Sequence, residues 1–435
     1  MWLPDPVRDE LRQLSEDIWS CPEPSGDEQF AQQRLCDMLR SRDFFVMPGY
    51  LLPTAFCAEL VFTEDSGPTV CLVCEYDAVR GLGHACGHNL ACTASMAVAL
   101  AVQMEAAQSS PGAIPFRGRL RVLGTPSELY GEGKALLLNK NAFTDVDAVL
   151  ATRPAFGPGM LYYGTPCATF TRVTYHGRES SAVLCPWQGI NAQDAAVAAY
   201  RNVTLLRRDL PPQWHVAGVL RPSESQSPLR VPERCRLELF ACTPSGPDLL
   251  DLQKRLRSAC MGPCHSTGCM VSFDYQRPYV DMMANEALGQ FFLEQAQRTG
   301  VAARLFGGAS AQPQQQQQQQ QCLLPSGLGA VSHSVPTLCP LFSLDVDPPL
   351  MGAAACCTDE AFDRCLQSGR CLALTAFGAA SATRKPTGSA AQAAPSQARP
   401  QTATRSPLPE SPHRSLDYFL AIAPISWCLL FYRRR

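Results

Sequence analysis

Apolar residues recur at helical intervals near the start of the chain and predict two helices within residues 6–46. The first helix carries Val7, Leu11, Leu14 and Ile18 on one face. Residues 30–39 repeat the pattern. The segment 21–26, which reads CPEPSG, separates the two helices because proline and glycine interrupt regular structure.

Further along the chain, short apolar runs alternate with a helical stretch. Strands are predicted at the runs Ala58–Phe62, Thr69–Cys74, Leu120–Leu123 and Ala148–Ala151. A helix is predicted over Leu90–Met104, which is rich in alanine and methionine. Strands that alternate with helices in this way are typical of a largely parallel sheet covered by helices. The pattern therefore predicts an α/β fold.

The middle of the chain follows a different order, which predicts a separate domain. Its elements alternate as strand, helix, strand, strand, helix and strand: Ala168–Tyr175, Asn191–Leu206, His215–Leu220, Arg236–Cys242, Asp248–Ala259 and Cys269–Tyr275. This is the order of a ferredoxin-like α+β sandwich. We therefore expect residues 164–275 to form a domain inserted into the α/β domain, which comprises residues 1–163 and 276–379. Helical patterns at Asn285–Thr299 and Asp359–Ala376 complete the α/β domain.

Two segments of low complexity predict disorder. Gln314–Gln321 is a run of glutamine, and residues 380–415 are dense in Ala, Ser, Thr, Pro and Gln. We assign residues 380–435 to a disordered tail that ends in the apolar segment Tyr418–Tyr432. That segment is shorter than the ~20 residues of a membrane-spanning helix and contains Pro424. We therefore favour a terminus that docks on protein, or one that arose by altered splicing, over contact with a membrane.

Composition and charge narrow the choice of function. Apolar residues make up 46% of the chain and charged residues 17%, and the formal net charge of -2 gives no basic surface for nucleic acid. The 21 cysteines are scattered, and the start of the chain lacks the apolar core of a secretory signal. We therefore expect reduced thiols and a cytoplasmic protein.

The segment 75–90, which reads EYDAVRGLGHACGHNL, carries the most informative chemistry. It follows a predicted strand and opens a predicted helix. Cys86 and His88 lie two residues apart, so a thiolate and an imidazole, which are ligands that zinc favours, can point at one ion. A buried thiol beside a turn histidine is the structural alternative. We assign no role to His84, which we expect to be an ordinary surface or loop histidine.

Together with several other segments, this stretch resembles the M20 peptidases, a family of aminoacylase and carboxypeptidase-like zinc metallopeptidases. The resemblance covers residues 10–375, and its further anchors are Ile18–Ser20, Leu52–Phe56, Leu123–Pro126, Ala142–Thr144 and Pro186–Trp187. It implies a zinc-binding α/β domain, a ferredoxin-like lid used for closure or dimerisation, and hydrolysis of dipeptides or N-acyl amino acids. In that family, two zinc ions share a water whose proton is taken by a glutamate.

The resemblance implies roles for the residues that match the family's pattern. Cys86 and His88 match metal ligands, Glu128 matches the catalytic base, and Asp77 would orient His88 or a neighbouring ligand. For Asp77, a strand-end aspartate that caps the following turn is an equal alternative. The family's C-terminal ligand histidine aligns with Cys357, which is therefore a candidate third ligand.

Other positions depart from the family's pattern. Leu129 stands where the family has a glutamate ligand, Arg153 where it has a ligand histidine, and Ser181 where the lid supplies a histidine. Groups that would grip the substrate carboxylate are replaced near Leu229 and Cys242. The sequence therefore retains the family's scaffold but not its full set of metal ligands.

The charge of Arg153 argues against a two-zinc centre. A guanidinium stays protonated, and one positive charge ~5 Å from a divalent ion costs about 6 kcal/mol at an effective dielectric constant of roughly 20. A thousandfold loss of affinity corresponds to only about 4 kcal/mol. Leu129 offers no lone pair at all. We therefore expect zinc binding to be reduced or absent, with Arg153 pairing with Glu128 and neutralising the old pocket.

Three hypotheses about function follow. We favour a non-catalytic homologue that lacks normal two-zinc hydrolase activity and acts by binding, as a homodimer or as a heterodimer formed through the lid. The alternative is a metal-dependent dipeptidase or amidohydrolase with one zinc held by Cys86, His88 and Cys357. It would hydrolyse dipeptides with a basic C-terminal residue or N-acyl amino acids. The third is an interaction protein tethered to a membrane by its tail.

Overall fold

The computed structural model of the chain describes residues 2–63, 67–107, 116–129, 132–155, 160–162, 165–221, 227–283, 285–301, 303–305, 325–344 and 352–382. Its helices are α1 (Asp5–Ser20), α2 (Gln29–Arg40), α3 (His88–Ala107), α4 (Gly133–Asn139), α5 (Ala192–Leu206), α6 (Gly246–Thr267), α7 (Glu286–Arg298), α8 (Leu328–Ser332) and α9 (Asp359–Ala382). Its strands are β1 (Phe45–Pro48), β2 (Phe56–Val61), β3 (Thr69–Cys74), β4 (Arg119–Gly124), β5 (Ala148–Leu150), β6 (Arg153–Ala155), β7 (Met160–Tyr162), β8 (Cys167–His176), β9 (Ser180–Ser181), β10 (His215–Arg221), β11 (Arg230–Val231), β12 (Arg234–Thr243), β13 (Met270–Tyr275), β14 (Ala303–Leu305), β15 (Thr337–Leu338) and β16 (Pro340–Ser343).

A mixed sheet organises the first part of the fold, in the order β1-β2-β4-β3-β5-β15. The neighbours β4, β3, β5 and β15 run parallel, while β2 and β1 extend the sheet antiparallel at one edge. β3 is buried along its whole length because apolar clusters cover both faces of the sheet. The predicted α/β sheet is confirmed, and the antiparallel edge is a detail that the strand pattern did not reveal.

Helix α3 packs against this sheet and between α1 and α9. Its side chains from Leu90 to Val102 are all buried, which accounts for its run of small and apolar residues. A helix that is apolar all round must be enclosed on every side. Its first residue, His88, therefore lies at a fixed place directly beyond the sheet.

The inserted segment forms a second sheet, in the order β10-β12-β8-β13, with all neighbours antiparallel. Helices α5 and α6 pack against it, and β12 alternates buried and partly exposed residues as expected for one covered face. We call β8 to β13 with α5 and α6 the lid. The predicted order of strands and helices in this segment is confirmed, with Asn191 and Ser245 as the N-caps of α5 and α6.

Helix α6 continues past its predicted end at Ala259 to Thr267, with Pro263 inside it. A proline removes the bond that its N–H would donate to the carbonyl four residues earlier. That carbonyl, on Ala259, instead accepts a bond of 3.1 Å from Nδ2 of Asn202 on α5. The helix continues because a neighbouring helix satisfies the freed group, and it ends at Gly268 with φ of 76°.

A small mixed sheet, ordered β14-β7-β16-β6, lies beyond the end of β5. β6 pairs in parallel with β16, which places Arg153 opposite Leu341. The sequence pattern gave no sign of these short strands. Their consequence is that Arg153 is held by a backbone ladder and is not free to move away from the sheet end.

No helix within the described ranges is both long and apolar enough to cross a membrane. The predicted apolar segment Tyr418–Tyr432 and the glutamine run Gln314–Gln321 lie outside the described residues. Helix α9 extends to Ala382, which is slightly beyond the predicted start of the tail at residue 380.

We predict that Gly133→Ala destabilises the protein by about 1–3 kcal/mol or more, because there is no room for a methyl group at this position. A Cβ on Gly133 would lie 1.6 Å from the carbonyl oxygen of Pro126, so α4 would have to move. Denaturant unfolding measures the effect. Gly262→Ala is the control: its nearest neighbour would be 3.6 Å away, and we expect no loss of stability. Equal effects of the two substitutions would contradict the prediction.

Candidate functional site

The candidate site lies at the carboxyl ends of three adjacent parallel strands. Glu75 and Asp77 follow β3, Glu128 follows β4, and Arg153 opens β6 just after β5. Such strand ends meet at one edge of a sheet, which is where ligands bind in α/β folds. The fold therefore brings together residues that are up to 78 positions apart in sequence.

Four buried charges form a closed circuit at this edge, which we call the charge ring: Glu75, Arg153, Glu128 and Lys134. Glu75 contacts Nζ of Lys134 at 2.7 Å through Oε1 and Nε of Arg153 at 2.6 Å through Oε2. Glu128 contacts Nη2 of Arg153 at 2.6 Å through Oε1, and Nζ of Lys134 through Oε2. Side-chain exposure is 12% for Arg153 and 0–2% for the other three. The predicted pairing of Arg153 with Glu128 is confirmed.

The carboxylate of Glu128 receives further bonds from the segment that precedes α8. Its Oε1 accepts from the backbone N–H of Gly327 at 2.8 Å and from the hydroxyl of Ser326 at 3.2 Å. Its backbone carbonyl accepts a bond of 2.9 Å from the hydroxyl of Tyr279. Protein groups thus hold Glu128 at both carboxylate oxygens and at the main chain.

Burial alone would raise the pKa of the Glu75 carboxyl, but Arg153 and Lys134 outweigh it, and the pKa lies well below its usual range. Burial would lower the pKa of Lys134, but Glu128 and Glu75 raise it above its ordinary value. Arg153 likewise has a pKa raised above its ordinary value by Glu75 and Glu128. Glu75, Lys134 and Arg153 are therefore all charged at neutral pH.

Cys86 and His88 lie together at the start of α3, as predicted. Nδ1 of His88 is 2.8 Å from Oδ1 of Asp77, and the thiol of Cys86 donates to the Asp77 carbonyl at 3.4 Å. Oδ2 of Asp77 accepts from the hydroxyl of Ser25 at 2.6 Å and from the backbone N–H of Leu129 at 2.9 Å. Asp77 therefore contacts His88 and fixes the turn after β4, which is a different turn from the one that it was expected to cap.

Of the remaining predicted positions, Leu129 adjoins this cluster through its backbone bond to Asp77. Cys357 is exposed, with Arg12, Glu16 and Asp359 as its charged neighbours, whereas the adjacent Cys356 is buried and its thiol lies near Cys86. Leu129 is partly buried. Ser181 lies on the lid, where its hydroxyl accepts from the backbone of the following turn.

His84 lies in a loop, as expected, but it is not at the surface. Its side chain is buried, with 1% of the residue exposed, and this burial lowers its pKa to about 4. It is a neutral histidine of the interior and not a surface residue. The chain folds back around it because the turn 79–83 closes through a backbone bond of 2.9 Å from Val79 to Gly83.

Sequence reasoning missed Lys134 and gave no role to Glu75. The signal for Lys134 was its position on an apolar helix face with Leu137 and Leu138, where a lysine must be buried with a partner. The signal for Glu75 was a carboxylate directly after a wholly apolar strand. Neither signal indicates which residue the side chain pairs with, because that depends on which strand ends the fold makes neighbours.

The residues at the strand ends do not fit a two-metal centre. Arg153 and Lys134 occupy the carboxylate oxygens that could coordinate cations, and Leu129 supplies no ligand atom. Within the ranges that the structure describes, no group of three or more His, Cys, Asp or Glu side chains is arranged to hold a metal ion. The cysteines of these ranges all carry free thiols.

Comparison with known proteins places this chain beside dipeptidases. The Xaa-Arg dipeptidase of Mus musculus is 34% identical over 306 residues, covering 68% of this chain and 70% of the relative. The Xaa-Arg dipeptidase of Homo sapiens is 32% identical over 316 residues, with 68% and 70% covered. No protein-family profile matches the chain.

Solved structures share the fold at low sequence identity. A dinuclear metal-binding peptidase of the M20 family from Bacillus subtilis superposes with a TM-score of 0.60 at 14% identity, covering 86% of this chain and 98% of its own. The aminobenzoyl-glutamate utilization protein of Klebsiella pneumoniae gives a TM-score of 0.62 at 16% identity, with 85% and 95% covered. The fold therefore combines an α/β domain with a lid in the same way as these proteins.

The loop before Glu128 depends on a second buried carboxylate, that of Glu28. It accepts bonds from the backbone N–H groups of Gly26 at 2.9 Å and Ser127 at 2.8 Å, and from the hydroxyl of Thr54 at 2.8 Å. Ser127 has φ of 58°, which is a strained conformation for a residue with a side chain. Glu28 thus holds the strained turn that presents Glu128.

We predict that Glu28 makes the protein less stable as pH rises. Burial raises its folded-state pKa above the ordinary value of 4.5, so the folded state binds the proton more tightly than the unfolded state. Stability contributed by this group is therefore gained as pH falls from neutral toward about 5. Unfolding of the wild type and of Glu28→Gln across this range should show the wild type gaining relative to the variant.

The control for this titration is Asp145→Asn. A hydrogen bond from Arg121 lowers the pKa of Asp145 below 3.8, so its protonation falls outside that pH range. The stability difference between the wild type and this variant should stay constant. A constant difference for Glu28→Gln as well would contradict the prediction.

Proposed function

This chain belongs to the M20 peptidase family as a relative of the Xaa-Arg dipeptidases, and we propose that it is a non-catalytic member that acts by binding. One observation carries the proposal: both oxygens of the Glu128 carboxylate are bonded by protein groups, and each of them contacts a buried cation. Arg153, Ser326 and Gly327 bond its Oε1, and Lys134 contacts its Oε2.

A general base must have a lone pair free to accept a proton from water. A carboxylate offers about four acceptor sites on its two oxygens. In Glu128, four donors from three segments are directed at them, and two of those donors are cations. Breaking a buried charge pair costs about 3–5 kcal/mol, so the resting arrangement strongly opposes use of Glu128 as a base.

The nucleophile presents a second obstacle. Unactivated water has a pKa of about 15.7, and hydrolases of this kind depend on metal ions to lower that value. The charge ring is neutral as a whole and provides no such activation. These two arguments are independent, because one concerns the proton acceptor and the other concerns the water.

We propose a small peptide or an N-acyl amino acid as the ligand class. The relatives carry names that describe such compounds, namely the Xaa-Arg dipeptidases and a p-aminobenzoyl-glutamate hydrolase of Escherichia coli. In this chain, Leu229 and Cys242 stand where groups that grip a substrate carboxylate were expected. Recognition is therefore expected to rest less on that carboxylate than it does in an active relative.

We propose that the lid mediates association, either of two copies or with an active relative. Strands β10 and β13 lie at the two ends of the lid sheet and offer unpaired backbone groups at their outer edges. We also propose a cytoplasmic location. The free thiols of the described residues support it, because reduced cysteines are the rule in that compartment.

We predict that the full chain, purified without chelator, shows no turnover of dipeptides that end in arginine or lysine, with or without added zinc. The reason is that Glu128 cannot accept the proton of water while Arg153 and Lys134 hold it. Liquid chromatography with mass spectrometry detects the released amino acids. Turnover that is lost in both Cys86→Ala and Glu128→Gln would establish the one-zinc hydrolase instead.

We predict that the double substitution Arg153→His, Leu129→Glu raises zinc uptake at least tenfold over the wild type. It removes a fixed positive charge and restores an imidazole and a carboxylate at the strand ends. Metal analysis of the purified proteins measures the uptake. A matched control, Arg208→His with Leu205→Glu on the exposed end of α5 and the turn that follows it, introduces the same groups elsewhere. Equal uptake by both double variants would count against the prediction.

A further inference from the structure

The charge ring joins side chains from four segments of the chain and adds contacts beyond the β3–β4 ladder. Glu75 follows β3, Glu128 follows β4, Lys134 belongs to α4 and Arg153 to β6. Arg153 also donates from Nη1 to the carbonyl of Pro325 at 3.4 Å, which adds the segment before α8. Each carboxylate contacts both cations, so the ring closes on itself.

We infer that the charge ring replaces metal ions as the structural centre of this fold. Arg153 and Lys134 neutralise the two carboxylates and hold the strand ends together, so the chain folds and stays folded without a divalent ion. The inference concerns folding and metal dependence, whereas the proposed function concerns hydrolysis. Each can therefore fail without the other.

Charge balance is the first argument for this role. Two carboxylates buried side by side repel each other and need countercharge from a metal or from cationic side chains. Here the ring contains two negative and two positive groups, at 0–2% side-chain exposure except for Arg153 at 12%. Side chains of the protein itself therefore supply the countercharge that the two carboxylates need.

Geometry is the second argument. The guanidinium of Arg153 is planar and places Nε on one carboxylate and Nη2 on the other, both at 2.6 Å. Lys134 bridges the same two carboxylates from the other side with a single ammonium group. An arginine and a lysine thus span Glu75 and Glu128 from two directions, as a pair of bridging cations would.

Exclusion of other cations is the third argument. An incoming divalent ion would need the carboxylate oxygens that Arg153 and Lys134 already hold, and it would be repelled by both. Leu129, next to Glu128, offers no ligand atom in compensation. The strand ends therefore need no metal ion for their stability, and they also disfavour the binding of one.

The test is thermal unfolding of the full chain with EDTA, with added zinc, and with substitutions in the ring. We expect the wild-type Tm to be unchanged by either addition. Arg153→Met keeps an unbranched side chain but removes the guanidinium, which leaves the carboxylates short of one charge, and should lower Tm by roughly 5–10 °C. Arg153→Met with Glu128→Gln restores neutrality, and should recover part of that loss even though two ring members are changed.

Two controls complete the design. Arg172→Met removes an exposed pair with Asp274 on the lid, and should leave Tm nearly unchanged. If Arg153→Met fails to fold, Arg153→Lys can replace it, because it retains the charge and should give a folded protein of intermediate Tm. The chelator experiment uses the wild-type protein and needs no variant.

Several results would overturn the inference: a fall in wild-type Tm with EDTA, stoichiometric zinc in the purified protein, or a double variant no more stable than Arg153→Met alone. Turnover that is insensitive to chelator would refute the proposed function but leave this inference standing. A Tm that falls with chelator, in a protein without turnover, would refute this inference but leave the proposed function standing.

Discussion

The structure depends on one electrostatic constraint, namely that two carboxylates cannot be buried side by side without countercharge. Removing an ion from water costs several kcal/mol even after the protein relaxes. Glu75 and Glu128 incur that cost at the ends of β3 and β4, and Arg153 and Lys134 offset it through contacts on every carboxylate oxygen. The strand ends, α4 and the segment before α8 are held where this circuit requires them.

The contacts of the charge ring also bear on the proposed function. The chain belongs to the M20 peptidase family and shares the fold of its solved members. We propose that the role of Glu128 is what differs. A glutamate that serves as a base needs an open acceptor site, whereas a glutamate that balances two buried cations needs none. Structural demand and catalytic demand thus compete for the same oxygens, and under the proposed function the structural demand prevails.

Supporting contacts show that this arrangement is built into the surrounding fold. Arg153 is carried on β6, whose ladder with β16 fixes its position, and Tyr279 bonds the main chain of Glu128 near the point where the chain returns from the lid. Glu28 holds the strained Ser127 that precedes Glu128. The ring is therefore supported by separate parts of the chain, so it is not a chance encounter of long side chains at a surface.

By itself, the sequence determined the longer helices and strands and their order, because the periodicity of apolar residues reports which face of a helix or strand is buried. It also indicated a structural role for Arg153 as a partner of Glu128, since a guanidinium keeps its charge and pairs well with a carboxylate. Tertiary structure alone decided that Lys134 and Glu75 complete the ring. It also decided that the thiol near Cys86 is that of Cys356 and not that of Cys357, and that His84 is buried. These outcomes depend on which strand ends become neighbours. Partners in the charge ring are separated by as many as 78 residues, and such separations leave no periodic signal in a single sequence.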